Sequence, residues 1–119
     1  MMKRWGNLLV LLCLTGCATP LEQESGPAIV APSLEPGIFT AADGKKLAVQ
    51  VWNADAPQAV IVGLHGMNDY SKTFQMPGPW FADRAITTYA YDHRGFGRSP
   101  QPGIWPGTDL LTSDARSFI

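Results

Sequence analysis

Histidine, aspartate, serine and glycine crowd into two short runs of this sequence: VIVGLHGMNDYS at positions 60–71 and YAYDHRGFGRS at positions 89–99. Serine, histidine and aspartate are the side chains of nucleophilic acyl transfer. A hydroxyl attacks a carbonyl, an imidazole takes its proton and a carboxylate orients the imidazole. The tetrahedral intermediate carries a negative oxygen, and a preorganised N–H donor aimed at it contributes on the order of 3 kcal/mol. Neither run holds a complete set. Adjacent residues on an extended chain point to opposite sides, so Asp92 and His93 are poorly placed to form a carboxylate–imidazole pair. Ser99 lies in Gly97-Arg98-Ser99-Pro100-Gln101, which lacks the second glycine of a Gly-x-Ser-x-Gly elbow, and Pro100 blocks the helix that must begin there. Ser71 and Ser113 have neither glycine. The two runs therefore read as positioning loops, without a nucleophile of their own.

Elements that could place such loops are legible around them. Ile38–Thr40 and Leu47–Trp52 alternate, with the turn signal Asp43-Gly44 between them, and predict an antiparallel hairpin. Ala59–Leu64 is apolar without alternation, the pattern of a strand covered on both faces, and Ile86–Tyr91 predicts another buried strand. Between them, Ser71–Arg84 fits one irregular helix broken at Pro77-Gly78-Pro79 and re-entered at Trp80. After a Gly- and Pro-rich loop over 92–107, Thr108 or Asp109 could cap a last helix through Phe118. The fold class is α/β, a hairpin followed by parallel strands with helices. Ligands of such sheets bind at the strand C-terminal ends, where both runs lie.

The first residues have a different character. Lys3 and Arg4 precede an apolar run, Leu8–Leu14, that is too short to span a bilayer. Leu14-Thr15-Gly16-Cys17 resembles the lipobox of bacterial lipoproteins, which implies a signal over residues 1–16 and a diacylglycerol-modified Cys17 as the mature N-terminus. Ala18 after the cysteine leans towards the outer membrane, on its periplasmic face, as the place of anchoring in the cell envelope. Four prolines and three glutamates then make 17–37 a lipidated cysteine and an extended, solvated tether. The body is 38–119.

Bulk properties narrow the classes further. A chain of 119 residues, 45% hydrophobic and 16% charged, has room for one globular domain. A formal charge of −1 offers no basic field for nucleic acid. Both cysteines, Cys13 and Cys17, fall in the first segment and the only histidines are His65 and His93, so neither a disulfide framework nor a metal site is expected.

The two runs, in this order and spacing, resemble the α/β-hydrolase superfamily, and within it the lysophospholipase and monoacylglycerol-lipase-like group that includes serine aminopeptidase-type members. The resemblance covers residues 38–119. It implies that the backbone N–H of Met67 is an oxyanion-hole donor, that Gly66 allows the sharp turn presenting it, and that His65 is a buried brace and not a base. It also implies that Asp92, Arg94, Gly95 and Gly97 form a structural loop under that turn, with an Asp92–Arg94 interaction. No cofactor is implied. The intact protein would be a membrane-anchored serine hydrolase of carboxylic esters, taking small ester or lipid substrates of the monoacylglycerol or lysophospholipid type. An aminopeptidase, a haloalkane or epoxide hydrolase, and a vestigial non-catalytic lipoprotein are the alternatives, with Asn68 standing where epoxide hydrolases usually carry proline. In such proteins the serine, the acid and the base follow the region seen here, so the chain is expected to be an inactive N-terminal fragment. Its central strand at 59–64 would be an open edge, leaving an incomplete sheet prone to aggregate.

Overall fold

A computed structural model of the chain describes residues 19–119; the expected signal over 1–16 and Cys17 lie outside the described residues. The strands are β1 (Ser33–Glu35), β2 (Ile38–Thr40), β3 (Lys46–Trp52), β4 (Ala59–Gly63) and β5 (Ile86–Tyr91), and the helices are α1 (Pro77–Ala82) and α2 (Gly107–Phe118), with a 3₁₀ turn over Ser71–Gln75. They form one sheet in the order β1-β2-β3-β5-β4. The first three strands and the β3–β5 pair are antiparallel, whereas β4 and β5 are parallel and joined through α1.

The registers sort the side chains onto two faces. Phe39 opposes Leu47 and Val49 opposes Tyr91, which gathers Phe39, Leu47, Val49 and Tyr91 into a fully buried cluster. Phe118 of α2 closes over it, with its ring 5.0 Å from Phe39 and 4.7 Å from Tyr91. On the other face, Gly78 of α1 lies so close to Trp52 that a Cβ there would come within 2.4 Å of the indole, and Gly63 meets Phe74 in the same way. Helices therefore cover both faces of the middle of the sheet, as expected of an α/β fold.

Four local expectations are corrected. β4 is the open edge expected of an incomplete sheet, but it is not covered on both faces: its first half is exposed, with Val60 61% accessible, because α1 packs on β3 and β5 and nothing lies on its outer side among the described residues. Pro77 begins α1, where its missing N–H costs nothing, so the helix does not wait for Trp80. α2 starts one residue before Thr108 and is capped by no side chain; Gly107, at φ +76°, makes the turn into it. The segment before Ile38 is not a free tether either. Ser33–Glu35 adds a strand to β2, Gln23 is buried with its amide N–H donating to the Trp105 carbonyl at 2.8 Å, and the Ile29 and Val30 amides share the Ala42 carbonyl.

Candidate active site: two loops at one end of the sheet

β4 and β5 run parallel, so the loops that leave them emerge side by side. The first turns at once. Asp69 N–H donates to the Gly66 carbonyl at 3.3 Å, with Asn68 at φ 60° in the third position of the turn, which asparagine tolerates. Gly66 has an ordinary φ, and a Cβ on it would meet nothing within 4 Å. The left-handed residue of the sharp turn is therefore Asn68, and Gly66 leaves the backbone open to an approaching ligand. The Met67 amide, at the exposed crest, donates to no acceptor among the described residues, and its side chain is 65% accessible.

His65 fastens this turn to the second loop. Its Nδ1 lies 2.9 Å from the Gly66 carbonyl, and its Nε2 accepts the His93 backbone N–H at 2.9 Å. An Nε2 that accepts this N–H leaves Nδ1 as the donor to the Gly66 carbonyl. An imidazole committed at both nitrogens is a brace and is not free to act as a general base. The two histidine rings pack at 4.0 Å, and His93 also stacks on Tyr91. Burial pushes the His93 imidazole down to about 4, so it is neutral at physiological pH.

The second loop is held by its polar groups. The Asp92 carboxylate is fully buried and accepts the backbone N–H groups of Ser71 and Arg98, at 2.8 and 2.9 Å. Burial alone would push this carboxyl up; the donors Ser71 and Arg98 outweigh it and hold the group below the usual carboxylate range. Ser99 is equally committed, its hydroxyl donating to the Asp92 carbonyl and accepting from Ala48 N–H. Its proton goes to a carbonyl oxygen and not to a base, so nothing activates it for nucleophilic attack. Gly97, at φ +54°, lies against the Asp92 carboxylate, where a Cβ would come within 2.4 Å of Oδ2. Gly95 presses likewise on the Ile104 carbonyl.

Arg94 does not pair with Asp92, contrary to the expectation from sequence. Its guanidinium forks between two other carboxylates: Nη1 and Nη2 donate to Asp43 in the hairpin turn, at 2.5 and 2.9 Å, and Nε and Nη2 donate to Asp114 in α2, at 2.6 and 2.8 Å. Burial alone would lower this guanidinium; the two carboxylates more than offset it and keep it charged. The hydrogen bonds from Arg94 in turn hold the Asp43 carboxyl below its usual range. Asp92 meets an arginine only at the exposed Arg98, 3.5 Å away. Asp43 and Asp114 were not foreseen from the sequence. For Asp114 a signal was present, since it falls four residues after Leu110 on the buried stripe of α2, where a lone carboxylate needs a cationic partner.

A cavity of about 640 Å³ opens beside this hub, lined by Glu22, Gln23, Asp43, Lys45 and Ile104, and not at the Met67 turn. That turn stands exposed at Met67, with a smaller cavity lined by Asp69, Tyr70 and Lys72 beside it. Among the described residues no cluster of histidine, cysteine, aspartate and glutamate could hold a metal ion.

Residues 55–119, which include both loops and α2, match the family model described as serine aminopeptidase, S33. The chain belongs to that family. It is 32% identical over 62 residues to a monoacylglycerol lipase of Mycolicibacterium smegmatis, a match over 51% of this chain and 22% of that protein. A lipase solved in its open form superposes with a TM-score of 0.53 at 24% identity, over 65% of this chain and 26% of the other. An esterase from Exiguobacterium antarcticum does so with a TM-score of 0.54 at 23% identity, over 69% and 30%. The family's α/β-hydrolase fold is thus shared, and the chain spans between a fifth and a third of the length of these relatives.

Proposed function

We propose that the chain supplies the oxyanion-binding part of a membrane-anchored serine hydrolase that cleaves carboxylic esters of the monoacylglycerol or lysophospholipid type through an acyl-enzyme. The observation that carries this reading is the uncommitted Met67 amide on a turn whose histidine is fixed at both ring nitrogens. A donor held still before the reaction stabilises developing charge without reorganising. The relatedness to a monoacylglycerol lipase supports the ester class. Serine, acid and base would follow this segment in chain order, so residues 1–119 alone would bind fluorophosphonate poorly and turn nothing over. Anchoring would come from an acylated Cys17 in a bacterial envelope, with the outer membrane as the expected site.

The family's description favours a second reading, hydrolysis of N-terminal peptide bonds, which uses the same oxyanion donor. Substrate separates the two: p-nitrophenyl and monoacylglycerol esters against aminoacyl anilides.

The test of the donor is Met67→Pro in the active hydrolase. Proline fits the second position of such a turn and removes only the N–H. The expected loss is about 10²–10³-fold in kcat with KM little changed, while Met67→Ala, which keeps the amide, stays within a few-fold. Equal activity of Met67→Pro and the parent would discard the oxyanion assignment.

A further inference from the structure

The N-terminal arm joins the body at the same end of the sheet as the two loops. β3 is antiparallel to β5, and Val49 near its start opposes Tyr91 at the end of β5. The hairpin turn that feeds β3 therefore lies beside the loops leaving β4 and β5, and Asp92 N–H donates to the Ala48 carbonyl there at 2.8 Å. The opposite end of β3, at Asn53 and Asp55, instead faces Asp83 and Ala85.

Three contacts seat the arm at the loop end. Glu22 bridges to Trp105, and Gln23, 7% exposed, donates its backbone N–H to the Trp105 carbonyl and its side-chain Nε2 to the Ile104 carbonyl at 2.7 Å. Gly26 abuts Asp43, where a Cβ would lie 3.2 Å from the Asp43 Cβ. Ile29 and Val30 bond to Ala42, and the Ile29 side chain lies against Gly44. The arm is docked from its fourth described residue onward. It still leaves large apolar side chains in solvent, Leu21 at 74% and Ile29 at 68%, together with Val30 and Leu34.

From Cys17 to Glu22 only Ala18, Thr19, Pro20 and Leu21 intervene. That length reaches at most about 17 Å when fully extended, against roughly 70 Å for a free tether running to Gly37. We infer that the arm is a strap that holds the loop end of the sheet against the bilayer, so that the hydrolase draws its substrate from the leaflet that anchors it. The bilayer is also the environment that takes up Leu21, Ile29 and Val30. This inference rests on the acylated-Cys17 hydrolase reading above.

The test uses the acylated chain in vesicles of phosphatidylethanolamine and phosphatidylglycerol. The acylated mature chain has no free thiol, because Cys13 belongs to the removed signal and Cys17 carries the lipid. Fluorophores are placed on Lys45→Cys, in the hairpin turn, or on Asp55→Cys, at the far end of β3, and quenched by spin-labelled lipid. Quenching several-fold stronger at position 45 than at 55 is expected. An insertion of about twenty Gly/Ser residues between Leu21 and Glu22, which separates the docked arm from the anchor, should bring the two positions together without changing vesicle flotation. Equal quenching in the parent, or stronger quenching at 55, would overturn the strap, as would a lengthened chain that keeps the full difference. Failure of the parent to float with the vesicles would instead strike at the acylation reading, and the strap would fall with it.

Discussion

The loops that leave β4 and β5 are neighbours built on opposite principles. In the loop after β5, Asp92, Arg94 and Ser99 are almost wholly buried, each with at least two hydrogen bonds. In the turn after β4, Gly66, Met67 and Asn68 are exposed, with one 3.3 Å hydrogen bond across them. A donor that must meet a reacting atom cannot be buried in its own scaffold. Its rigidity has to come from next door, and His65, held by the His93 amide, is the connection. The difference teaches that the conspicuous polar residues of the second loop are structure, and that the donor of the proposed function, a backbone N–H, bears no side-chain signature.

The comparison breaks most sharply at Arg94. Arg94→Ala strands two buried carboxylates, Asp43 and Asp114, and should remove about 3–5 kcal/mol, comparable with the whole stability of a domain this small. Near-UV circular dichroism should then show its aromatic cluster unpacked. A chain that keeps the parent's near-UV spectrum and urea midpoint would show that the hub stabilises nothing.

A pair of alanine substitutions sharpens the contrast between the loops. Gly97→Ala forces a left-handed alanine onto the Asp92 carboxylate and should cost about 2–4 kcal/mol, whereas Gly66→Ala finds open space and should change stability by less than about 0.5 kcal/mol. Urea unfolding of the two variants gives the comparison directly, and similar midpoints would remove it. On the proposed function Gly66→Ala would still lower turnover, by crowding the approach to Met67.

A smaller effect than that of Arg94 or Gly97 is with pH. Folded His93, lowered to about 4 from an ordinary 6.5, binds fewer protons than unfolded His93 between those values. Stability is therefore full above about pH 6.5 and falls as the pH drops towards 4, by about 1–2 kcal/mol once solvent screening of this partly exposed ring is allowed for. Asp43 and Asp92 act in a lower window, their contribution present above 3.8 and lost as acid protonates them. His93→Phe should flatten the upper window and leave the lower one; an unchanged slope in the melting temperature from pH 6.5 to 4 would assign the effect elsewhere.

The hairpin and the order of strand, helix and strand were legible in the sequence, because alternation, the Asp43-Gly44 turn and the apolar run of β4 are local signals. Burial of β4 was not, since an apolar run does not report how many neighbours a strand has. Arg94 looked like a partner of Asp92 two residues away, but its actual partners are 51 residues before it and 20 after, and no local rule connects them. The arm deceived by composition. Its prolines and glutamates suit a solvated spacer, yet it is held chiefly by backbone hydrogen bonds, to which composition is blind.

The reach of Arg94 also dictates the order of events as the chain folds. Its hydrogen bonds to Asp43 can form once the hairpin has closed and β5 has paired, but those to Asp114 wait for the last turn and a half of α2. Contacts of such separation form late and slowly. Until residue 114 is available, the guanidinium has half its carboxylate partners, and the His93 amide that steadies His65 sits on an unfinished support. On the proposed function, the turn at Met67 would gain its full support only when the final helix docks, so an emerging chain would lack a finished site.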